Sequence, residues 1–260
     1  MITELKSIYH SKYFESVFTL TSFNMSKQYR YSFLGWVWTL LMPTVQIAVY
    51  TFIFGSLLKV PHKAQALYIL TGLLPWTFLS NSLMSASNAL LARGDALKRC
   101  MIPKTTFAAS DVLRNLHVFL ISFGTLYLVS LVFFVDFSFS IFLFPLALIP
   151  LLIATFSMAV MLSFLAPYFR DINEFINVGL MVGFYATPIL YQIGDMPEKY
   201  HIIFNLNPIY IILRPIFDVV YSQGLPSIES YGNALGLSML ISFLSYIVYK
   251  RLRKNVVYYL

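Results

Sequence analysis

Long apolar runs alternating with short polar, mostly basic stretches dominate the chain. A helix crosses about 30 Å of hydrocarbon with about 20 apolar residues. Five runs meet that requirement, at residues 33–58, 68–91, 108–135, 141–166 and 228–249. A sixth, residues 175–193, carries no charge and ends at Gly194-Asp195. None alternates apolar and polar positions as barrel strands do, so the predicted fold class is an all-α integral membrane protein with six transmembrane helices. Ahead of the first run, Ile2, Leu5, Tyr9, Tyr13, Val17 and Leu20 recur at spacings of three and four, with Glu4, Lys6, Lys12 and Glu15 elsewhere on the wheel. That pattern predicts an amphipathic helix within residues 1–30, lying along the membrane interface or packing against the bundle.

Residues 202–221 break the pattern. They are apolar but include Asn205, Asn207, Pro208, Arg214, Pro215 and Asp218. Two prolines and a charge pair do not suit a plain lipid-facing span, because each freed backbone group needs a partner. The expectation is a pair of re-entrant or interfacial helices within an external segment, residues 195–226. Arg214 and Asp218, four residues apart, are placed to pair on one helix face.

Charge placement tests this count. Lys6, Lys12, Lys27 and Arg30 lie before the first run. Arg93, Lys98, Arg99 and Lys104 lie between the second and third, and Lys250, Arg251, Arg253 and Lys254 follow the last. These clusters share one side of the membrane only if the number of crossings is even. The positive-inside rule then places both termini in the cytoplasm with six spans. Arg114 and Arg170 join the inner side, leaving Lys59, Lys63, Lys199 and Arg214 outside. The net charge of +7 is thus a cytoplasmic collar and not a nucleic-acid surface.

Composition agrees. The 260 residues are 58% hydrophobic and 11% charged, with a mean hydropathy of +0.73. Ordinary soluble domains are about 45–50% apolar and about 25% charged, so this chain is excluded from the water-soluble classes. One Cys and four scattered His leave neither a disulfide framework nor a zinc, haem or iron–sulfur ligand set. The first apolar run starts behind a polar segment too long for a signal-peptide leader.

Catalytic motifs are missing. There is no H-E-x-x-H, G-x-S-x-G or strand-borne G-x-G-x-x-G, and no Walker A loop to cradle ATP phosphates. Asp95, Asp111, Asp136, Asp171, Glu174 and Asp195 all fall at or beyond the ends of predicted spans, whereas an ion-coupled pathway favours a mid-span acid. Energy is therefore expected from another polypeptide. An integral membrane enzyme acting on lipid-linked sugars is the alternative from another class, with Asp171 paired to Glu174 or Asp195 as its acid–base candidates.

The spans do carry polar and aromatic side chains. The first holds Trp36, Trp38, Gln46, Tyr50 and Phe54; the second holds Trp76, Asn81, Ser85 and Asn88; the fifth holds Tyr185 and Tyr191. Aromatic faces beside amides and hydroxyls suit sugars, which present C–H faces ringed by hydroxyls. The competing role is the interfacial aromatic belt or the core. Two G-x-x-x-G patterns, Gly179–Gly183 and Gly232–Gly236, predict close helix packing or dimer contact.

The order of the motifs resembles one family. Tyr29-Arg30-Tyr31-Ser32-Phe33-Leu34-Gly35-Trp36-Val37-Trp38, followed by Leu41 and Pro43, resembles the entrance to the first span in permeases of polysaccharide ABC exporters, the type-2 subunits for O-antigen, capsule and teichoic acid. The spacing from Arg30 to Ser32 is shorter than that family's. Thr71-Gly72-Leu73-Leu74-Pro75-Trp76 resembles its second-span turn. Phe169-Arg170-Asp171, Thr187-Pro188-Ile189-Leu190-Tyr191, Pro197-Glu198-Lys199 and Asn207-Pro208 resemble its C-terminal part, so the likeness covers about residues 27 to 218.

The resemblance implies a single transmembrane domain over residues 1–260 working as a homodimer in the bacterial inner membrane. It implies two copies of a separate nucleotide-binding subunit, which would carry ATP and Mg, with no cofactor bound by this chain. The expected cargo is an undecaprenyl-pyrophosphate-linked polysaccharide, most nearly O-antigen; a small lipid or drug is the alternative cargo. Residues 93–104 take the place of the coupling loop, with Arg93, Asp95, Lys98 and Arg99 docking on the ATPase. Tyr29, Arg30, Tyr31, Trp36 and Trp38 take the place of the gate, where Arg30 attracts a pyrophosphate head or membrane phosphates. Tyr50, Phe54, Trp76, Asn81, Tyr185 and Tyr191 are the expected channel lining.

Overall fold

A computed structural model describes residues 2–29, 35, 37–53, 63–94, 102–133, 139–169 and 171–259. Among these the regular structure is helical and no strand occurs. Among the described residues nine α-helices follow in order: α1 (Ile2–Tyr29), α2 (Val37–Thr51), α3 (Lys63–Ser87), α4 (Thr105–Phe133), α5 (Phe144–Leu165), α6 (Ile172–Ala186), α7 (His201–Asn205), α8 (Pro208–Val220) and α9 (Ile228–Leu252).

Two described helical stretches are long and apolar enough to cross a membrane, Phe139–Leu165 and Ile228–Leu252. Glu198–Asn205 and Pro208–Val220 form a bent pair at 95°, a broken span or a re-entrant loop. The bend has a local cause. Asn207 is extended, at φ −64° and ψ 118°, as a residue before proline prefers. Its side chain then caps α8, accepting from the amides of Ile209 at 2.9 Å and Tyr210 at 3.2 Å. Its Nδ2 donates to the Ala186 carbonyl at 2.9 Å, which fastens the cap to the end of α6. The apolar run through residue 193 is longer than its helix: α6 stops at Ala186 because Thr187, extended at φ −94° and ψ 133°, precedes Pro188.

The main core gathers α3, α4, α5 and α8, with Ile69, Leu70, Leu126, Leu151, Leu213 and Ile216 fully buried. Helix α9 lies along α5 through a row of small side chains, Ala234, Ser238 and Ser245. Ser238 Oγ donates to the Pro150 carbonyl at 2.8 Å, the backbone group nearest a proline inside α5. Gly232 and Gly236 are not part of this seam; a Cβ at either would meet nothing within 4 Å.

A second cluster closes one end of the molecule. Ala89 and Leu90 after α3, Phe107 in α4, Phe164 in α5 and Val256 past α9 are buried together, with Leu20 of α1 against them. Tyr168 Oη donates to the Leu252 carbonyl at 3.1 Å, and Lys104 Nζ to the Arg253 carbonyl at 3.3 Å. Helix α1, both flanks of residues 95–101 and the C-terminal turn therefore meet at the same end. Helix α1 does pack against the bundle: Val17, Thr21 and Met25 are buried toward α4. Glu15, Thr19, Ser22 and Ser26 form its polar back, and Phe14 and Phe18 are exposed on the flank. The helix is docked on the bundle, with Phe14, Phe18 and Phe23 left exposed.

Candidate functional site

The polar positions of three helices converge at that end. Asn81, Ser85 and Asn88, spaced four and three apart, share a face at the end of α3. Asp111, Arg114, Asn115 and Val118 share a face at the start of α4, and Asn24 and Lys27 share one near the end of α1. Together they form a cleft of about 780 Å³, lined by Asn24, Lys27, Asn81, Met84, Ser85, Asn88, Arg93, Arg114, Asn115 and Val118.

Asp111 is the keystone of its wall. The carboxylate is 2% exposed and accepts a fork of two bonds from Arg93, Nη1 at 2.9 Å and Nη2 at 3.0 Å. Such bidentate, charge-assisted pairs fix geometry as well as charge. The guanidinium also lies 5.7 Å from the Phe107 ring centroid, so an apolar plate backs the pair. Asn24 Nδ2 approaches Asp111 Oδ1 at 3.4 Å and Thr21 Oγ1 approaches the Ser110 carbonyl at 3.4 Å, which brings in α1. Across the cleft, Asn115 Nδ2 donates to Ser85 Oγ at 3.0 Å, joining α4 to α3. Asn173 Nδ2 donates to Asn88 Oδ1 at 2.8 Å and anchors the first turn of α6.

The electrostatic balance follows. Asp111 matches the charge of Arg93, while Lys27 and Arg114 also face the cleft and no carboxylate is among its lining residues. Amides and a hydroxyl complete it. The lining holds no nucleophile–base pair, and no group of three or more metal-ligating side chains occurs among the described residues. The arrangement suits polar or anionic groups, and among its described lining residues none is set up for acid–base or nucleophilic chemistry.

The sequence model of the family described as ABC-2 type transporter matches residues 15–221, most of the chain. The chain belongs to the ABC-2 type transporter family. It is a membrane permease subunit of an ABC transporter and not an enzyme. The permease is similar to two proteins of Klebsiella pneumoniae named O-antigen export system permease protein RfbA, each 28% identical. One match spans 75% of this chain and 76% of the relative, the other 79% and 80%. A Myxococcus xanthus protein of the same name is 24% identical over 98% of both chains. Family membership implies pairing with a nucleotide-binding subunit, consistent with the missing Walker A loop.

The sequence-predicted site residues scatter over this permease. Arg30, Tyr31, Trp36, Phe54, Asp95, Lys98 and Arg99 lie outside the described residues, and Tyr29 closes α1. Arg93, expected to dock on the ATPase, is held inside by Asp111. Trp76, expected in a channel, is 5% exposed; its ring packs on Phe184 at 5.7 Å and lies 3.0 Å from where a Gly183 Cβ would sit. That burial leaves it a packing role in this protomer. Asn81 is exposed in the cleft wall, Tyr185 is 66% exposed on α6, and Trp38 and Tyr50 are half-buried on α2. Tyr191 Oη donates to the Tyr185 carbonyl at 3.0 Å. Asp171 and Glu174, the enzyme alternative's acids, are exposed at the start of α6. Asp218 accepts from Ser230 Oγ at 3.0 Å and so ties α8 to α9.

Sequence places Asp111 among the acids at span ends but gives it no site role. The signal was available as a carboxylate near the start of an apolar run, followed three and four residues on by Arg114 and Asn115. A polar face of that kind at the mouth of a span invites a facing one, and α3 supplies it.

Proposed function

We propose that this permease exports a lipid-linked polysaccharide, O-antigen, across the bacterial inner membrane, as a homodimer with two copies of its nucleotide-binding subunit. The similarity to the Myxococcus xanthus export permease over 98% of both chains carries the reading. Six spans, with α1 at the cytoplasmic face, agree with the gathering of α1, the flanks of residues 95–101 and the C-terminal turn at one end. The Lys and Arg excess of those segments favours the cytoplasm for that end. The bent α7–α8 pair then belongs to the outer face.

In this mechanism the partner's closure presses on residues 95–99. Arg93 is the first fixed point behind them, and its fork to Asp111 passes the push into α4 and α1. The cleft end of the protomer is the mouth through which the head of the lipid-linked chain passes. Exposed Phe175, Val178, Met181, Val182 and Tyr185 on α6 suit a face toward lipid or the second copy, with Tyr185 and Asn81 offered to a sugar polymer. Deleting the gene from its host tests the reading. Surface polysaccharide is expected to disappear from lipopolysaccharide gels, with lipid-linked polymer accumulating inside and export restored by the wild-type gene. Undiminished surface polysaccharide in the deletion strain overturns it.

A further inference from the structure

The cleft between α1, α3 and α4 carries more charge than its packing consumes. Asp111 takes up Arg93 through bonds of 2.9 and 3.0 Å. Lys27 and Arg114 then present two further cations to a space with no carboxylate among its described lining residues. Two like charges facing one cleft repel. A ligand bringing negative charge relieves that cost. Arg114 has a forked donor array suited to phosphate oxygens, and Lys27 supplies a mobile point charge from the neighbouring helix. The other wall is of a different kind. Asn81 presents an amide with both donors and an acceptor, held beside Ser85 and Asn88, whose own polar atoms are bonded to the Asn81 backbone carbonyl, Asn115, the Met84 carbonyl and Asn173. Paired donors and acceptors match vicinal hydroxyls, whereas phosphate needs donors alone. The volume of about 780 Å³ lies in the range of specific small-molecule sites, about 300–1,000 Å³.

We propose that this cleft binds the phosphate–sugar junction of the exported molecule, with Lys27 and Arg114 on the phosphate oxygens and Asn81 on the hydroxyls of the first sugar. The assignment rests on the export reading and gives it a head-group site. The Arg93–Asp111 pair is the positioning element: it removes one cation from competition and holds the α4 wall in place. The same chemistry is offered by a membrane-borne lipid diphosphate sugar and by a free nucleotide sugar, so the probes must separate the two sources.

The test uses the permease with its nucleotide-binding subunits in phosphatidylcholine nanodiscs. Binding is measured for undecaprenyl-pyrophosphoryl-N-acetylglucosamine, UDP-N-acetylglucosamine and inorganic pyrophosphate. A hydrogen bond to a charged group contributes about 1.5–3 kcal/mol, so each lost cation is expected to weaken binding roughly tenfold or more. Lys27→Gln/Arg114→Gln is expected to lose affinity roughly a hundredfold and to flatten its salt dependence, with Arg114→Lys recovering part of it. Lys199→Gln, beyond the opposite end of α6, is expected to bind as wild type. If the double variant does not assemble, Asn81→Asp places a negative charge in the cleft at constant shape and is expected to weaken binding by itself. A monodisperse double variant, or Asn81→Asp, that binds every probe like wild type overturns the proposal. Preference for the lipid-linked probe assigns the membrane source, and equal binding of UDP-N-acetylglucosamine assigns a soluble one; both support the cleft chemistry. Cation-dependent binding alongside unchanged surface polysaccharide in the deletion strain would sink the export reading and leave the cleft standing. The reverse pattern, lost export on deletion with wild-type binding by the double variant, would sink the cleft alone.

Discussion

Removing either member of the Arg93–Asp111 pair should cost stability unequally, and burial decides the order. The carboxylate side chain is 3% exposed and the guanidinium 25%. Arg93→Gln strands a charge that water barely reaches, and breaking a buried pair this way costs about 3–5 kcal/mol. Asp111→Asn strands a guanidinium that solvent partly rehydrates, and the amide oxygen still accepts one bond. That change should cost about 1–3 kcal/mol, nearer the value of a charged hydrogen bond than of an orphaned ion. The double variant removes both charges and should cost less than the two singles summed, with a coupling of about 2 kcal/mol. The assay is unfolding of the purified permease in mixed micelles by titrated denaturing detergent, followed through its three tryptophans. Additive single-variant effects, or a larger loss for Asp111→Asn than for Arg93→Gln, would refute the reasoning. The first result means the fork does not couple the turn after α3 to α4; the second means solvent reaches the wrong partner.

Other consequences follow from single residues. Arg99→Glu, in proteoliposomes with the cognate ATPase, is expected to uncouple hydrolysis from export at unchanged stability; transport at the wild-type rate removes the coupling role from residues 95–99. Gly72→Ala puts a Cβ 2.7 Å from Phe217 Cζ and 3.1 Å from Ile189 Cγ2. Overpacking of that kind costs about 1–3 kcal/mol, and Phe217→Leu should relieve it; a neutral Gly72→Ala in detergent melts contradicts the contact. Asn207→Ala removes the α8 cap and the bond to the Ala186 carbonyl, a loss of about 1–2 kcal/mol. Hydrogen exchange at Ile209 and Tyr210 should quicken, and protection equal to wild type would dismiss the cap.

How much of this was legible beforehand depended on whether the information was local. Solvent choice, helix class and the positions of most helices follow from apolar runs, because in hydrocarbon every backbone group must be satisfied within its own segment. The proline signals at Pro188 and Pro208 also act locally, through the residue before each. The gathering of α1, both flanks of residues 95–101 and the C-terminal turn at one end agrees with their shared basic charge. Pairing was not readable. Trp76 has the composition of a sugar platform and is buried against Gly183 and Phe184. Gly232 and Gly236 read as a face for helix packing or dimer contact, and within the protomer the seam lies on Ala234, Ser238 and Ser245.

The cleft shows the same division most sharply. Sequence alone determined that Arg93 is cationic and lies at the end of a span, which made it a docking candidate. Tertiary structure decided that a carboxylate eighteen residues later would claim it, at a distance where the ion pair outweighs exposure. Chain order sets which side chains exist and on which helix face they stand. Which faces meet, and so which charges are already matched and which remain for a ligand, is fixed only when helices far apart in sequence pack together.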